Sequence, residues 1–140
     1  MRLYRSICWI QGFYFLLTGV WPLLSIETFQ LVTGRKTDHL VTGREADHWL
    51  VNTVAVLVIA IGITLLFSAW RGRFSAEAAI LGVAAAIGLI TIDVVYAARG
   101  TISAVYLLDA VLEVAIVIAW LVCVWQIRET QKSGRDLRAQ

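Results

Sequence analysis

Three carboxylic acids lie inside long apolar runs of this chain, and they are the residues best placed to do chemistry. Asp93 interrupts the run 78–98, and Asp109 and Glu113 interrupt the run 101–127. A charged side chain at the centre of a bilayer costs about 2.5–3.5 kcal/mol on insertion scales, so such residues usually serve a function or hold helices together. Carboxyl groups in this setting are suited to carrying a proton, binding a cation or holding an amine.

The apolar runs around these acids indicate membrane-spanning helices. The chain of 140 residues is 59% hydrophobic, and the runs 6–26 and 49–70 contain no Asp, Glu, Lys or Arg. At a rise of 1.5 Å per residue, each of the four runs can cross a hydrocarbon core of about 30 Å. A soluble four-helix bundle would need a polar face on every helix, and residues 51–67 offer none. We therefore expect one all-α membrane domain over residues 1–140, a four-helix transmembrane bundle with up-down topology and helices near 4–25, 48–70, 76–98 and 102–127.

The basic residues predict which side of the membrane each segment faces. The first apolar run ends without a small-residue cleavage site, so it is expected to remain as the first span. If the N-terminus lies inside, eight of the twelve Lys and Arg residues fall on cytoplasmic segments. These are Arg2, Arg5, Arg71, Arg73, Arg128, Lys132, Arg135 and Arg138. Positive residues favour the cytoplasmic side, which predicts an inner or plasma membrane protein with both termini in the cytoplasm.

Composition also limits the partners. The lipid bilayer is the expected environment, and a homodimer or another membrane protein is a possible partner. A net charge of +2 without a dense basic face does not indicate nucleic-acid binding.

A direct repeat occupies the segment between the first and second predicted spans. Residues 31–39 read LVTGRKTDH and residues 40–48 read LVTGREADH, identical at seven of nine positions. We expect an outer loop in which one copy is surplus, followed at the other end of the chain by a polar tail at 128–140. The repeat creates the pairs Asp38-His39 and Asp47-His48, which have metal-ligand chemistry. Duplication of a pair without a metal role is the favoured interpretation, so neither a metal nor another cofactor is expected.

Helical periodicity indicates that the three carboxylates can meet. Asp109 and Glu113 are one turn apart on the fourth span, and Asp93 lies on a stripe of the third span with small residues that permit close packing. Hairpin neighbours place Asp93 and Asp109 at a similar depth in the outer half of the bundle, with Glu113 one turn deeper. The remaining polar candidates for this pocket are Tyr14, Thr18, Asn52, Tyr96 and Tyr106.

No Lys or Arg lies far enough inside the predicted membrane spans to neutralise these acids. Carboxylates that share a site of low dielectric constant cannot all ionise cheaply, so at least one is expected to be protonated at neutral pH or to hold a cation. The alternative is purely structural: buried acids can hydrogen-bond polar groups on neighbouring helices and fix their register.

Several strings resemble a group of small bacterial four-helix membrane proteins of uncharacterised function. They are ETFQLVTG, DHWLV and TIDVVYAARGTISAVYLLDAVLE, which together extend over much of the chain. In that group a single TG-x-x-x-D-x-WLV motif precedes the second helix, so the extra copy at 31–39 departs from its pattern. The resemblance implies four membrane helices and places Asp93, Tyr96, Tyr106, Asp109 and Glu113 among recurring residues. It implies no activity.

Three functions remain open on the sequence. The first is binding or transport of a proton, a cation or a cationic or amphipathic small molecule by the acidic pocket, for which so small a chain would need to dimerise. The second is an accessory or structural subunit whose acids pair with a partner's Lys or Arg. The third is a membrane-embedded enzyme that acts on a lipid with a carboxylate pair as general acid and base. No nucleophile or redox motif supports the third, so a non-enzymatic role is favoured and no residue is assigned as catalytic.

Overall fold

The chain is all-helical where the computed structural model describes it, at residues 2–33, 44–100, 102 and 105–136. The helices, in chain order, are α1 (Arg2–Leu24), α2 (Ile26–Thr33), α3 (Arg44–Arg71), α4 (Ala76–Ala98) and α5 (Tyr106–Asp136). By length and composition, four segments can cross a membrane: Arg2–Leu24, His48–Arg71, Ala76–Ala98 and Tyr106–Ser133. The expected four long apolar helices are therefore confirmed.

The outer surface carries many large apolar side chains, and a few polar side chains lie in the largely apolar interior. Gln11 and Glu113 are completely buried, whereas Leu17, Leu108 and Trp70 are each more than two-thirds exposed. Large apolar side chains on the outside and polar ones on the inside are suited to a hydrocarbon solvent, where lipid tails are as apolar as leucine.

Helices α1 and α3 form the closest pair, and glycines bring their backbones together. Early residues of α1 contact late residues of α3, so the two helices run in opposite directions. A Cβ added at Gly62 would lie 2.9 Å from the carbonyl oxygen of Gly12, and one added at Gly19 would lie 2.8 Å from that of Ala55. Such close approach increases dispersion contact, which drives helix association in a membrane.

Helices α4 and α5 form the second closely packed pair. Ser75 begins α4 as its N-cap, accepting a hydrogen bond from the amide of Ala78, and Gly72 before it turns the chain with φ +67°. Gly100, with φ +68°, follows the end of α4.

Helix α5 differs from the sequence expectation at both ends. It begins at Tyr106, later than the expected 102, and continues to Asp136, beyond the expected 127. The extension follows from good helix formers such as Arg128, Glu129 and Lys132, with neither Gly nor Pro before Gly134.

Helix α2 packs back against the end of α1. The indole of Trp21 donates to the hydroxyl of Thr28 at 3.2 Å and meets the ring of Phe29 edge-on. Most of the repeat, including Asp38 and His39, lies outside the described residues. The structural prediction for the duplicated loop therefore stays a prediction.

Candidate functional site

Two buried carboxyl groups form the centre of the candidate site. Glu113 is completely buried and Asp93 is 6% exposed. Both carboxyl oxygens of Glu113 and Oδ2 of Asp93 are buried and have no hydrogen-bond partner among the described residues. A buried polar group left without a partner costs about 1–3 kcal/mol, so these oxygens do not stabilise the fold by hydrogen bonding.

The faces of α4 and α5 explain why these acids are inside. Asp93 follows Gly82 and Ala86 along the buried face of α4, where small side chains admit a neighbouring helix. Glu113 shares its face of α5 with Ile116 and Trp120, which are also buried. Helical spacing of three or four residues places these side chains on one stripe.

Asp109 lies between Glu113 and the N-terminal end of α5. It falls in the first turn of the helix, because α5 begins at Tyr106. Three residues of helix place it only about 4–5 Å from the helix start, not the roughly 10 Å expected from a start at residue 102. Asp109 and Tyr106 are both half-buried, so they connect Glu113 with the end of the helices near the α4–α5 link.

Burial is the main reason why a negative charge on Glu113 is costly, and two neighbouring acids add to that cost. Asp109 and Asp93 both lie close enough to act on its carboxyl group, and no described basic group offsets them. Two nearby negative charges make a third one costly in a site of low dielectric constant. The arrangement therefore favours a proton or a positive ligand at Glu113.

A hydrogen-bonded layer lies on the other side of Glu113, two turns farther along α5. The amide nitrogen of Gln11 donates to the carbonyl of Gly82 at 2.8 Å, and the indole of Trp120 donates to Gln11 Oε1 at 2.8 Å. A Cβ at Gly82 would lie 2.7 Å from Gln11 Oε1, so only glycine leaves room for this arrangement. One amide thus joins α1 to both α4 and α5.

A second layer lies nearer the start of α1. The hydroxyl groups of Tyr4 and Ser68 are hydrogen-bonded, and the amide of Ser75 donates to Tyr4 Oη at 3.2 Å. The ring of Tyr4 meets those of Phe74 and Trp120 edge-on. The completely buried side chains of Tyr4, Gln11 and Trp120 separate Glu113 from this end of the helices.

The other residues proposed from the sequence as part of the pocket differ in burial and in their contacts. Tyr14 is half-buried against Phe15, and the hydroxyl of Thr18 donates to backbone carbonyls of its own helix. Asn52 is exposed on α3, and Tyr96 is 39% exposed with its ring 5.8 Å from the guanidinium of Arg99. Asn52 and Tyr96 therefore do not join the buried acids.

Sequence reasoning did not identify the two hydrogen-bonded layers as parts of the interior. Gln11 carried a usable signal, since it is the one amide in the charge-free run 6–26. Tyr4 and Ser68 gave none, because each lies near the end of an apolar segment, where tyrosine and serine are ordinary.

The described residues contain no group of three or more His, Cys, Asp or Glu side chains arranged to hold a metal ion. Asp93, Asp109 and Glu113 thus share a region without forming a common coordination sphere.

Fold and site together define the class: an all-helical protein with four helices apolar enough to cross a membrane and unpartnered carboxyl groups in its interior. No family model matches the chain, and no curated protein or solved structure shows significant similarity to it.

Proposed function

We propose that this protein is an integral membrane protein that binds a proton at Glu113, with Asp93 as the second acidic group. In this proposal the four long helices cross the inner or plasma membrane in up-down order, with both termini in the cytoplasm. The ligand enters past Asp109 and Tyr106 from the outer side.

The observation that carries the proposal is the set of three buried carboxyl oxygens that have no hydrogen-bond partner in the part of the chain that the structure describes. A structural role would pair these oxygens with donors on neighbouring helices, as Gln11 is paired at both ends of its amide. Buried polar groups in proteins are nearly always satisfied, so exceptions point to a strained or functional group. An intramembrane acid of this kind is typical of proton relays and cation sites.

Geometry favours a proton over a coordinated metal ion or an organic cation. A metal ion needs several oxygen ligands at about 2.0–2.6 Å, whereas the acids are not gathered in that manner among the described residues. A proton needs only one carboxyl oxygen and no additional space, which suits the complete burial of Glu113.

Burial also weighs against the accessory-subunit alternative. A Lys or Arg from a partner helix could pair with the half-buried Asp109, but this chain's own side chains already cover Glu113. The enzyme alternative would require a lipid to reach the same covered carboxyl group.

Infrared spectroscopy of the purified protein in lipid tests whether a carboxyl group in the interior takes up the proton. Difference spectra between acid and alkaline pH report the carbonyl stretch of protonated carboxyl groups. We expect a band that Glu113→Gln removes and Asp93→Asn shifts. Glu129→Gln, which neutralises an exposed acid on the same helix, should leave it unchanged.

A second measurement tests whether an organic cation also reaches the site. Tetraphenylphosphonium, a lipophilic cation, should release protons from a weakly buffered sample if it competes for Glu113, and Glu113→Gln should abolish the release. A titrating band without such release assigns the site to the proton alone. If Glu113→Gln and Glu129→Gln give the same spectra as the parent protein, the proposal is wrong.

A further inference from the structure

A basic groove opens between α3 and α4 on the side of the protein away from the acids. It has a volume of about 620 Å³ and lies at the link that joins the two helices. Arg71 and Arg73 lie at its rim, and Phe67, Thr64 and Leu81 are among the side chains that line it. Helices α3 and α4 make far fewer contacts with each other than the two closely packed pairs do, which leaves the groove open.

Positive charge dominates the rim of this groove. The guanidinium of Arg71 lies 6.0 Å from the centre of the Phe67 ring, which holds the charge above the groove wall. The aliphatic part of Arg5 approaches the link at Gly72, adding a third arginine at this level. Glu77 is the acidic side chain in the lining, and the hydroxyl of Ser75 donates to it at 2.7 Å.

Below the rim the groove is mainly apolar. Its lining extends from Arg71 to Thr64 on α3 and from Ser75 to Leu81 on the α4 side, which are steps of seven and six residues or roughly 9–10 Å of helix. A charged rim above an apolar wall matches a phospholipid, whose phosphate lies at the interface and whose acyl chain extends into the hydrocarbon.

We propose that this groove binds one anionic phospholipid, with Arg71 and Arg73 on the phosphate and the first part of an acyl chain against Phe67 and Leu81. Guanidinium groups bind phosphate oxygens through paired hydrogen bonds, and basic pockets between membrane helices recognise lipid head groups. This inference concerns a separate surface and does not depend on the acidic site.

Native mass spectrometry of the full chain, released from nanodiscs of phosphatidylcholine with a minor fraction of phosphatidylglycerol, tests the proposal. We expect one phosphatidylglycerol to remain bound in preference to phosphatidylcholine. The double variant Arg71→Gln/Arg73→Gln should weaken this preference about 30-fold, since each basic residue near a surface contributes about 1 kcal/mol toward an anionic lipid.

A matched control removes the same charge elsewhere on the same protein. Arg128→Gln/Lys132→Gln neutralises two exposed residues of α5 and should leave phosphatidylglycerol retention within about twofold of the parent, because neither residue lines the groove. Equal losses in both double variants would reduce the effect to general surface attraction and overturn the proposal.

A third experiment distinguishes binding of a whole phospholipid from binding of its phosphate group alone. Leu81→Trp fills the apolar wall and should lower phosphatidylglycerol retention while both arginines remain. Glycerol 3-phosphate, which has the phosphate without acyl chains, should compete only weakly. Full displacement by glycerol 3-phosphate, or retention unaffected by Leu81→Trp, would show a site for free phosphate groups and contradict a lipid site.

Discussion

Replacing Glu113 with methionine should make the protein more stable, and this prediction separates a functional carboxyl group from a structural one. Methionine has a similar length and a flexible, polarizable side chain that fills irregular spaces. The substitution removes two buried oxygens that have no partner. Since an unsatisfied buried group costs about 1–3 kcal/mol, the free energy of unfolding should rise by about that amount.

The same substitution at Gln11 should have the opposite effect. Gln11 is also completely buried, but its amide makes two hydrogen bonds at 2.8 Å, to Gly82 and from Trp120. Hydrogen bonds between membrane helices average about 0.6 kcal/mol, so losing two lowers the free energy of unfolding by about 1 kcal/mol. The indole N–H of Trp120, left without an acceptor, brings the expected loss to about 1–3 kcal/mol.

Unfolding by sodium dodecyl sulfate in mixed micelles, followed by tryptophan fluorescence, measures both variants on one scale. Glu113→Leu serves as a second apolar replacement, in case methionine packs poorly at this position. If Glu113→Met and Glu113→Leu both lower the free energy of unfolding by more than about 1 kcal/mol, as Gln11→Met does, the carboxyl group stabilises the fold and the reasoning is refuted.

Three further perturbations test the packing and the repeat. Gly62→Ala should lower the free energy of unfolding by about 1–3 kcal/mol in the same assay, because the added Cβ would meet the backbone of α1. The control Gly88→Ala, whose Cβ would have no neighbour within 4 Å, should be neutral or stabilising by up to about 1 kcal/mol. Equal effects of the two substitutions would contradict the close helix contact. Tyr4→Phe should cost about 1–2 kcal/mol by removing the hydroxyl that bonds Ser68, and a neutral result would count against that layer. Deleting residues 31–39 should leave the thermal melting temperature nearly unchanged, and a large fall would show that the extra copy is structural.

The long helices could be predicted from the sequence because the hydrocarbon core of a membrane imposes their length and composition. An uncharged run of about 20 residues has one inexpensive conformation in a bilayer, since a helix satisfies every backbone group internally. The interior position of Asp93 and Glu113 was predictable for a related reason: an acid facing lipid is too costly, so helical phase places it inside. The depth of Asp109 was not predictable, because it depended on where α5 begins after Gly100.

The closest helix contacts also differed from what periodicity suggested. Small residues on α4 drew attention to the stripe that carries Asp93, whereas close backbone approaches lie between α1 and α3, at Gly62 and Gly19. Glycine occurs on both sets of helices, and its sequence position does not reveal which neighbour it faces. That choice is made by pairwise packing of whole helix surfaces, which a single sequence does not display.

The location of the hydrogen bonds follows from this division into two closely packed pairs. Within the pair α1 and α3, glycines bring the backbones together, and a hydrogen bond between Tyr4 and Ser68 also joins the two helices. Between that pair and the pair α4 and α5, contacts are fewer, and Gln11 and Tyr4 make the hydrogen bonds that cross the junction. Because lipid provides no hydrophobic force between helices, a satisfied polar group is an effective way to fix how two such pairs meet. Glu113 lies on the same stripe of α5 as Trp120, but its carboxyl group has no hydrogen-bond partner within the described ranges, so it does not contribute to fixing the junction there. An acid that is buried in a junction already fixed by a neighbouring amide is best explained by what it binds.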